Sequence, residues 1–310
     1  MTTVNLQINL GGLIMKNPVT VASGTFGYGA EYSDYFDVSQ LGAVTVKSLS
    51  LEPRSGNRPP RIVETPSGML NAIGLQNVGI EAYLKEKLPF LREKKCVIIA
   101  NIYGSAPEDY ATLASRLEAE GGADAIEANL SCPNVHDAQK ARGGSLVAQH
   151  PDQVSRYTQA IKAATKLPVF IKLSPNVTDI VEPALAAQEA GADAVSLINT
   201  LIGMAIDSET RRPRISNIVG GLSGPAIRPV ALKMVWDVAR ALHIPILGMG
   251  GICTADDALQ FLLAGAHAVA IGCASFRRPD AALKVVQGIE SYCRQHNVND
   301  VNELIGAVKL

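Results

Sequence analysis

Two lysines close apolar runs. Lys47 ends the run Ala43–Lys47 and is followed by Ser48, and Lys172 stands in Phe170-Ile-Lys-Leu173. Burying an ammonium is expensive, so a lysine at the end of an apolar strand points toward an open end of the fold. Two at one end suit a bound anion or an electron-rich cofactor ring. Asparagines recur at similar positions: Asn101, Asn129 and Asn199 end apolar runs, and Asn71 and Asn77 bracket Asn71-Ala-Ile-Gly-Leu-Gln-Asn77. Each amide both donates and accepts, so a converging set suits a planar ligand with alternating carbonyl and N–H groups. Cys132 lies in Asn129-Leu-Ser-Cys-Pro-Asn134, between asparagines and before a proline that fixes the backbone. A thiol moderately lowered from its usual pKa of about 8.5 is a competent general base near neutrality. Cys96, Cys253, Cys273 and Cys293 lie on or beside core elements and read as packing, although Cys273 ends a strand near the expected ligand site.

Glycines supply a phosphate signal. Gly248-Met-Gly-Gly251 precedes a helix capped by Thr254, Ile271-Gly272-Cys-Ala-Ser275 ends the last apolar run, and Ser223-Gly224-Pro-Ala opens a further helix. Barrels commonly bind phosphate between the loops after strands seven and eight, through backbone amides and a helix N-terminus.

These residues need a scaffold, and internal repeats indicate which. Gly122-Ala-Asp-Ala-Ile-Glu127, Gly191-Ala-Asp-Ala-Val-Ser196 and Gly265-Ala-His-Ala-Val-Ala270 echo one another. Each follows a helical stretch and leads into a β-branched run, the glycine reading as a left-handed helix cap. Starts about 70 residues apart leave room for two strand-plus-helix units each time. Eight strands are predicted: Val19–Ala22, Ala43–Lys47, Cys96–Asn101, Ala125–Asn129, Val169–Leu173, Ala194–Ile198, Ile246–Met249 and Ala268–Gly272. Helices are predicted over Glu31–Gln40, Ile80–Arg92, Pro107–Glu120, Pro151–Thr165, Ile180–Glu189, Ala226–Leu242, Ala255–Leu263 and Asp280–Arg294. The class is α/β: a single (β/α)8 TIM barrel spanning 1–310, with an N-terminal β-hairpin turning at Gly11-Gly12. Long connections at about 48–78, 130–150 and 199–224 all follow strand C-termini, the face where barrel active sites sit.

Composition narrows the function classes. The 310 residues carry 28 basic and 29 acidic side chains, for a net charge of −1, so no basic face for nucleic acid is expected. Apolar residues make up 47% and charged ones 18%, so a large aliphatic core is expected. Five scattered cysteines without a Cys-x-x-Cys pair are neither a disulfide framework nor a zinc or iron–sulfur ligand set. With no targeting peptide in view and no apolar run near the ~18 residues of a membrane span, a cytoplasmic protein is expected.

Together the motifs resemble those of class 1 dihydroorotate dehydrogenases, flavin mononucleotide (FMN) barrels of pyrimidine biosynthesis. The resemblance runs from about residue 4 to about residue 290 and is most specific at Asn71–Asn77, Asn129–Asn134 and the two glycine loops. Pro60-Arg-Ile-Val-Glu-Thr-Pro-Ser-Gly-Met-Leu70 resembles the NAD-linked class 1B branch more than the fumarate-using class 1A branch. The resemblance implies that Cys132 takes a proton from C5 of dihydroorotate while hydride leaves C6 for the flavin N5. It implies that Lys47, Asn71, Asn129, Asn134, Asn199 and Thr200, with backbone from Ala72, Ile73, Gly74 and Leu75, hold the substrate. It further implies flavin contacts from Ala22, Ser23, Lys47, Ser48, Asn101, Asn129, Lys172 and Ile198, and a phosphate cradle of Gly224, Gly250, Gly251, Gly272 and Cys273. In one departure from the family, His136-Asp-Ala-Gln-Lys-Ala-Arg142 intervenes before Gly143-Gly144 and lengthens the loop after the cysteine (135–144).

The chain carries no cluster cysteines and no Gly-x-Gly-x-x-Gly after a strand, so NAD linkage requires a second polypeptide. The resemblance implies a partner bearing FAD and a [2Fe-2S] cluster, in a heterotetramer built on a homodimer. Alternatives are a dihydropyrimidine dehydrogenase-type barrel acting on uracil or thymine, a class 1A-like use of fumarate, a flavin-free aldolase or isomerase with a Schiff-base lysine, and a silent scaffold barrel. Lys47 favours dihydroorotate over uracil, since a substrate carboxylate needs a cation.

Overall fold

Runs of Val, Ile and Ala that are apolar on both faces satisfy their backbone only in a sheet covered on both sides. In the computed structural model, which describes residues 4–131 and 146–309, eight such runs pair in parallel: Val19–Val21, Val44–Thr45, Ile98–Ile102, Ala125–Asn129, Val169–Lys172, Ala194–Leu197, Ile246–Met249 and Ala268–Ile271. The second through eighth strands pair in chain order and the eighth pairs with the first, opposing Val269 to Val19. Between the first two strands the ring closes through single bonds. The Gly42 amide donates to the Val19 carbonyl at 2.9 Å, and the Thr20 and Thr45 hydroxyls lie 3.0 Å apart. The result is a (β/α)8 barrel, with each predicted strand present to within a few residues.

Helices follow the later strands at Pro107–Ala119, Pro151–Ala164, Val181–Glu189, Arg228–Ala241, Ala255–Leu263 and Ala281–Gln295. The segment Gly79–Glu93 after strand two is also helical, with a π turn at Tyr83–Lys87 where Pro89 has no amide to continue the regular ladder. The helix predicted over Glu31–Gln40 does not form. Two 3₁₀ turns, Ala30–Tyr32 and Val38–Gln40, stand there instead. The side chains meant to solvate a helix bind backbone locally: Glu31 accepts from the Tyr28 amide at 3.0 Å, and Asp37 from the Ser39 amide at 3.1 Å.

The repeats mark the N-terminal end of the barrel, where each ties an odd strand to the next even one. The amides of Asp124, Asp193 and His267 donate to the carbonyls of Ile98, Val169 and Ile246 at 2.8, 2.9 and 2.8 Å. Their side chains accept from the amides of the same three residues, at 2.7, 2.7 and 3.4 Å. Arg92 pairs with Asp124 at 3.0 Å and Lys162 with Asp193 at 2.6 Å. In the first repeat the left-handed residue is Gly121, one position earlier than expected. The N-terminal hairpin, Ile8–Leu10 with Leu13–Met15, forms as predicted.

The connections 48–78 and 199–224 are not mere loops. Leu201–Met204, Val219–Ser223, Gly68–Asn71 and Ile62–Thr65 form one four-stranded antiparallel sheet beside the barrel mouth. Its central pairing sets Gly221 opposite Asn71. Cys132, Asn134 and the lengthened stretch 135–144 lie outside the described residues.

Candidate functional site

Strand C-termini and the second sheet enclose a cavity of about 280 Å³. Ala22, Ser23, Lys47, Ser48, Asn71, Ile73, Gly74, Leu75, Asn129, Lys172, Ile198, Asn199, Thr200, Gly224, Gly250, Gly251, Gly272 and Cys273 all line it. Asn101 and Ala72 do not. Asn101 is fully buried behind Ser48, and Ala72 is buried with its amide donating to the Arg61 carbonyl at 2.8 Å. Asn77 is also turned away, holding its loop by donating to Ser50 Oγ at 2.8 Å and accepting from the Gly79 amide at 2.8 Å.

One hydrogen-bonded chain runs through the barrel mouth. Asn199 Nδ2 donates to Ser131 Oγ at 2.9 Å, and Ser131 Oγ to Asn129 Oδ1 at 3.3 Å. Asn129 Nδ2 donates to Ser48 Oγ at 3.4 Å, and Ser48 donates to Asn101 Oδ1. Asn101 Nδ2 donates to Glu127 Oε2 at 2.5 Å, and Lys172 Nζ lies 3.4 Å from the same oxygen. Strands two to six are thereby cross-linked at their ends, so the polar groups facing the cavity hold fixed positions before any ligand arrives.

Lys47 is the half-buried cation of the wall. Burial first, then the nearby Arg61 guanidinium, pushes its pKa below the ordinary lysine range, while Glu31 pulls the other way. The four described cysteines are all pushed up by burial, Cys96 to about 11, so Cys273 faces the cavity as a thiol.

The glycines of the loops after strands seven and eight stand together on the cavity wall. The amides of Gly250, Gly251 and Gly272 donate to no protein acceptor among the described residues. Gly251 has φ +73°, and a Cβ there would stand 2.5 Å from the Gly224 carbonyl oxygen, so no side chain fits. Free amides converging on a cavity are anion donors. Thr254 Oγ accepts from the Asp257 amide at 3.2 Å, capping the next helix as predicted.

Sequence reasoning missed Glu127, Arg61 and Gln76. A glutamate inside the buried run Ala125–Asn129 is itself a signal. Arg61 carried none, because only the second sheet brings it to the cavity, where it donates to Gln76 Oε1 and to the Asn57 carbonyl at 3.1 Å. Among the described residues no His, Cys, Asp or Glu cluster is arranged to hold a metal, and no helix is long and apolar enough to cross a membrane.

A barrel with two lysines and an open amide cradle at its C-terminal mouth has the features with which (β/α)8 enzymes bind phosphate. The sequence model for dihydroorotate dehydrogenase matches residues 5–293, and the chain belongs to that family of oxidoreductases. It is 53% identical over 305 residues to "Dihydroorotate dehydrogenase B (NAD(+)), catalytic subunit" of Pelobacter propionicus, covering 98% of this chain and 99% of that one. The protein of the same description from Geotalea daltonii is 52% identical over 310 residues, across the full length of both. A crystal structure of DHODH from Eimeria tenella in complex with ferulenol superposes with a TM-score of 0.78 at 26% identity, covering 98% of this chain and 88% of that one.

Proposed function

We propose that this chain oxidises dihydroorotate to orotate with bound FMN, as the catalytic subunit of an NAD-linked enzyme of pyrimidine biosynthesis in the cytoplasm, and that one barrel domain houses the whole site. The observation that carries the reading is the cavity itself, with the Lys47 side chain on its wall beside three open glycine amides. The residues present fit FMN. Gly250, Gly251 and Gly272 offer donors to a phosphate, and Lys172 and Asn129 offer donors to a flavin ring.

FMN, when bound, supplies the acceptor for the two electrons that leave C6 of the substrate. Lys47 holds the substrate carboxylate while it is an ammonium, a form that burial and the Arg61 charge cause it to lose at lower pH than a free lysine would. Asn71, Asn129, Asn199 and Thr200 bind the ring carbonyls and N–H groups, held in place by the Asn199–Ser131–Asn129 bonds. Cys132 follows Ser131 directly in the sequence and takes the C5 proton as base. A partner subunit carrying FAD and a [2Fe-2S] cluster would link this chain to NAD, in a heterotetramer built on a homodimer of this chain.

Dihydroorotate-dependent bleaching of the flavin band near ~450 nm, in wild type and Cys132→Ala, tests the reading. Wild type is expected to bleach, and the variant to hold flavin yet bleach at least about a hundredfold more slowly. A colourless holo-protein overturns the flavin assignment, and equal rates overturn the role of Cys132. Robust NAD reduction by the isolated chain overturns the need for a partner.

A further inference from the structure

A carboxylate stands inside the barrel wall where an aliphatic side chain would pack. The Glu127 side chain is 1% exposed and that of Lys172 is 5% exposed. Glu127 Oε2 receives Asn101 Nδ2 at 2.5 Å and Lys172 Nζ at 3.4 Å, while Oε1 is buried with no hydrogen-bond partner. A buried ion pair seldom stabilises a fold relative to apolar residues of the same volume, and an oxygen left without a donor makes this one costlier. Packing therefore gives the carboxylate no reason to be there. Its two partners supply one. Lys172 stands on the cavity wall, and Asn101 reaches the wall through Ser48.

We infer that Glu127 is a positioning residue for the cofactor site. It holds Lys172 Nζ at the wall and offsets its charge, so that the lysine donates a hydrogen bond to the flavin without acting as a bare cation. This rests on the FMN reading above. A bare cation beside a flavin favours the reduced, more negative form and raises the two-electron midpoint potential. A carboxylate 3.4 Å from that cation, in a pair this deeply buried, cancels most of the effect. The unengaged Oε1 matters here, because no donor there dilutes the negative charge. An enzyme that hands electrons on toward NAD needs a flavin of low potential, and a balanced lysine provides it where a bare one does not.

The test is the midpoint potential of the bound flavin, by dye equilibration, in wild type, Glu127→Gln, Lys172→Met and the double variant. Glu127→Gln is expected to favour reduced over oxidised flavin by about tenfold, a rise of about 30 mV for a two-electron couple. Lys172→Met is expected to lower the potential, since it leaves the carboxylate without its cation. The double variant, which removes both charges, should return to near the wild-type potential, a pattern that a merely structural role would not produce. An unchanged or lower potential in Glu127→Gln overturns the inference, as does a rise in Lys172→Met or a double variant that stays at the potential of Glu127→Gln. Should Glu127→Gln fail to fold, Glu127→Asp draws the carboxylate back and is expected to shift the potential the same way by less, with no shift counting against the inference. Wild-type protein without flavin would instead sink the FMN reading.

Discussion

The two ends of the barrel use the same residue types to opposite effect. At the N-terminal end the carboxylates of Asp124 and Asp193 accept a strand amide and pair with the nearby Arg92 and Lys162. At the C-terminal mouth Glu127 leaves one oxygen unpartnered, three glycine amides have no described acceptor, and Lys47 is a cation whose charge burial disfavours. Polar groups satisfied on the spot hold strands in register. Groups left open at the mouth forfeit that stabilisation and keep their bonding capacity for a ligand.

Substitutions at each end should therefore read out differently. The largest effect is expected at the mouth. Gly251→Ala forces a Cβ against the Gly224 carbonyl at a positive φ, costing about 2–3 kcal/mol and displacing the phosphate cradle. Flavin per chain, from absorbance after gel filtration, should fall more than about tenfold, and full retention would break the comparison. At the other end Asp193→Ala strands the Val169 amide and removes the partner of Lys162, for about 1–3 kcal/mol. Thermal unfolding should move down by several degrees with flavin per folded chain unchanged. A parallel loss of flavin would mean that the two ends are not separable.

A smaller effect should appear with pH at the mouth. Lys47 is charged below its pKa, and that pKa lies below the ordinary range through burial and Arg61. KM for dihydroorotate should climb with rising pH before a free lysine would titrate, with kcat little changed, and a flat KM up to about pH 10 would count against Lys47 as the carboxylate site. The smallest effect is expected at His267. Burial lowers its pKa in the fold, so on acidification the unfolded chain binds the proton first. The stability that neutral His267 lends is complete above its unfolded pKa of about 6.5 and is lost as pH falls through that value toward the folded one. Melting temperature against pH should fall less steeply in His267→Gln than in wild type, and identical slopes would remove His267 from the account.

What was legible in the sequence follows from how locally each feature is determined. The eight strands could be read because runs buried on both faces are continuous in apolar residues and bounded by Gly, Pro or Asn. Lys47, Lys172 and the asparagines could be placed because a polar residue at the end of such a run has one end of the barrel to face. The second sheet could not be read, since its central pairing joins Gly221 to Asn71, far apart in the chain and with glycines where a strand pattern would need side chains. Glu31–Gln40 misled because helix-compatible spacing lost to local side-chain bonds from Glu31 and Asp37. Glu127 closes the first repeat, but its partners Asn101 and Lys172 come from other strands, and the repeat by itself points to the opposite end of the barrel.

The second sheet also constrains how such a barrel can be altered. Its strands come as two hairpins, one from each insertion, joined where the inner strands Gly68–Asn71 and Val219–Ser223 pair with one another. Trimming one insertion would expose an unpaired edge on the other, open to adhesion between molecules. A transplant of specificity between related barrels must therefore carry segments 48–78 and 199–224 as a matched set, and any lineage that remodels one inherits the obligation to remodel its counterpart.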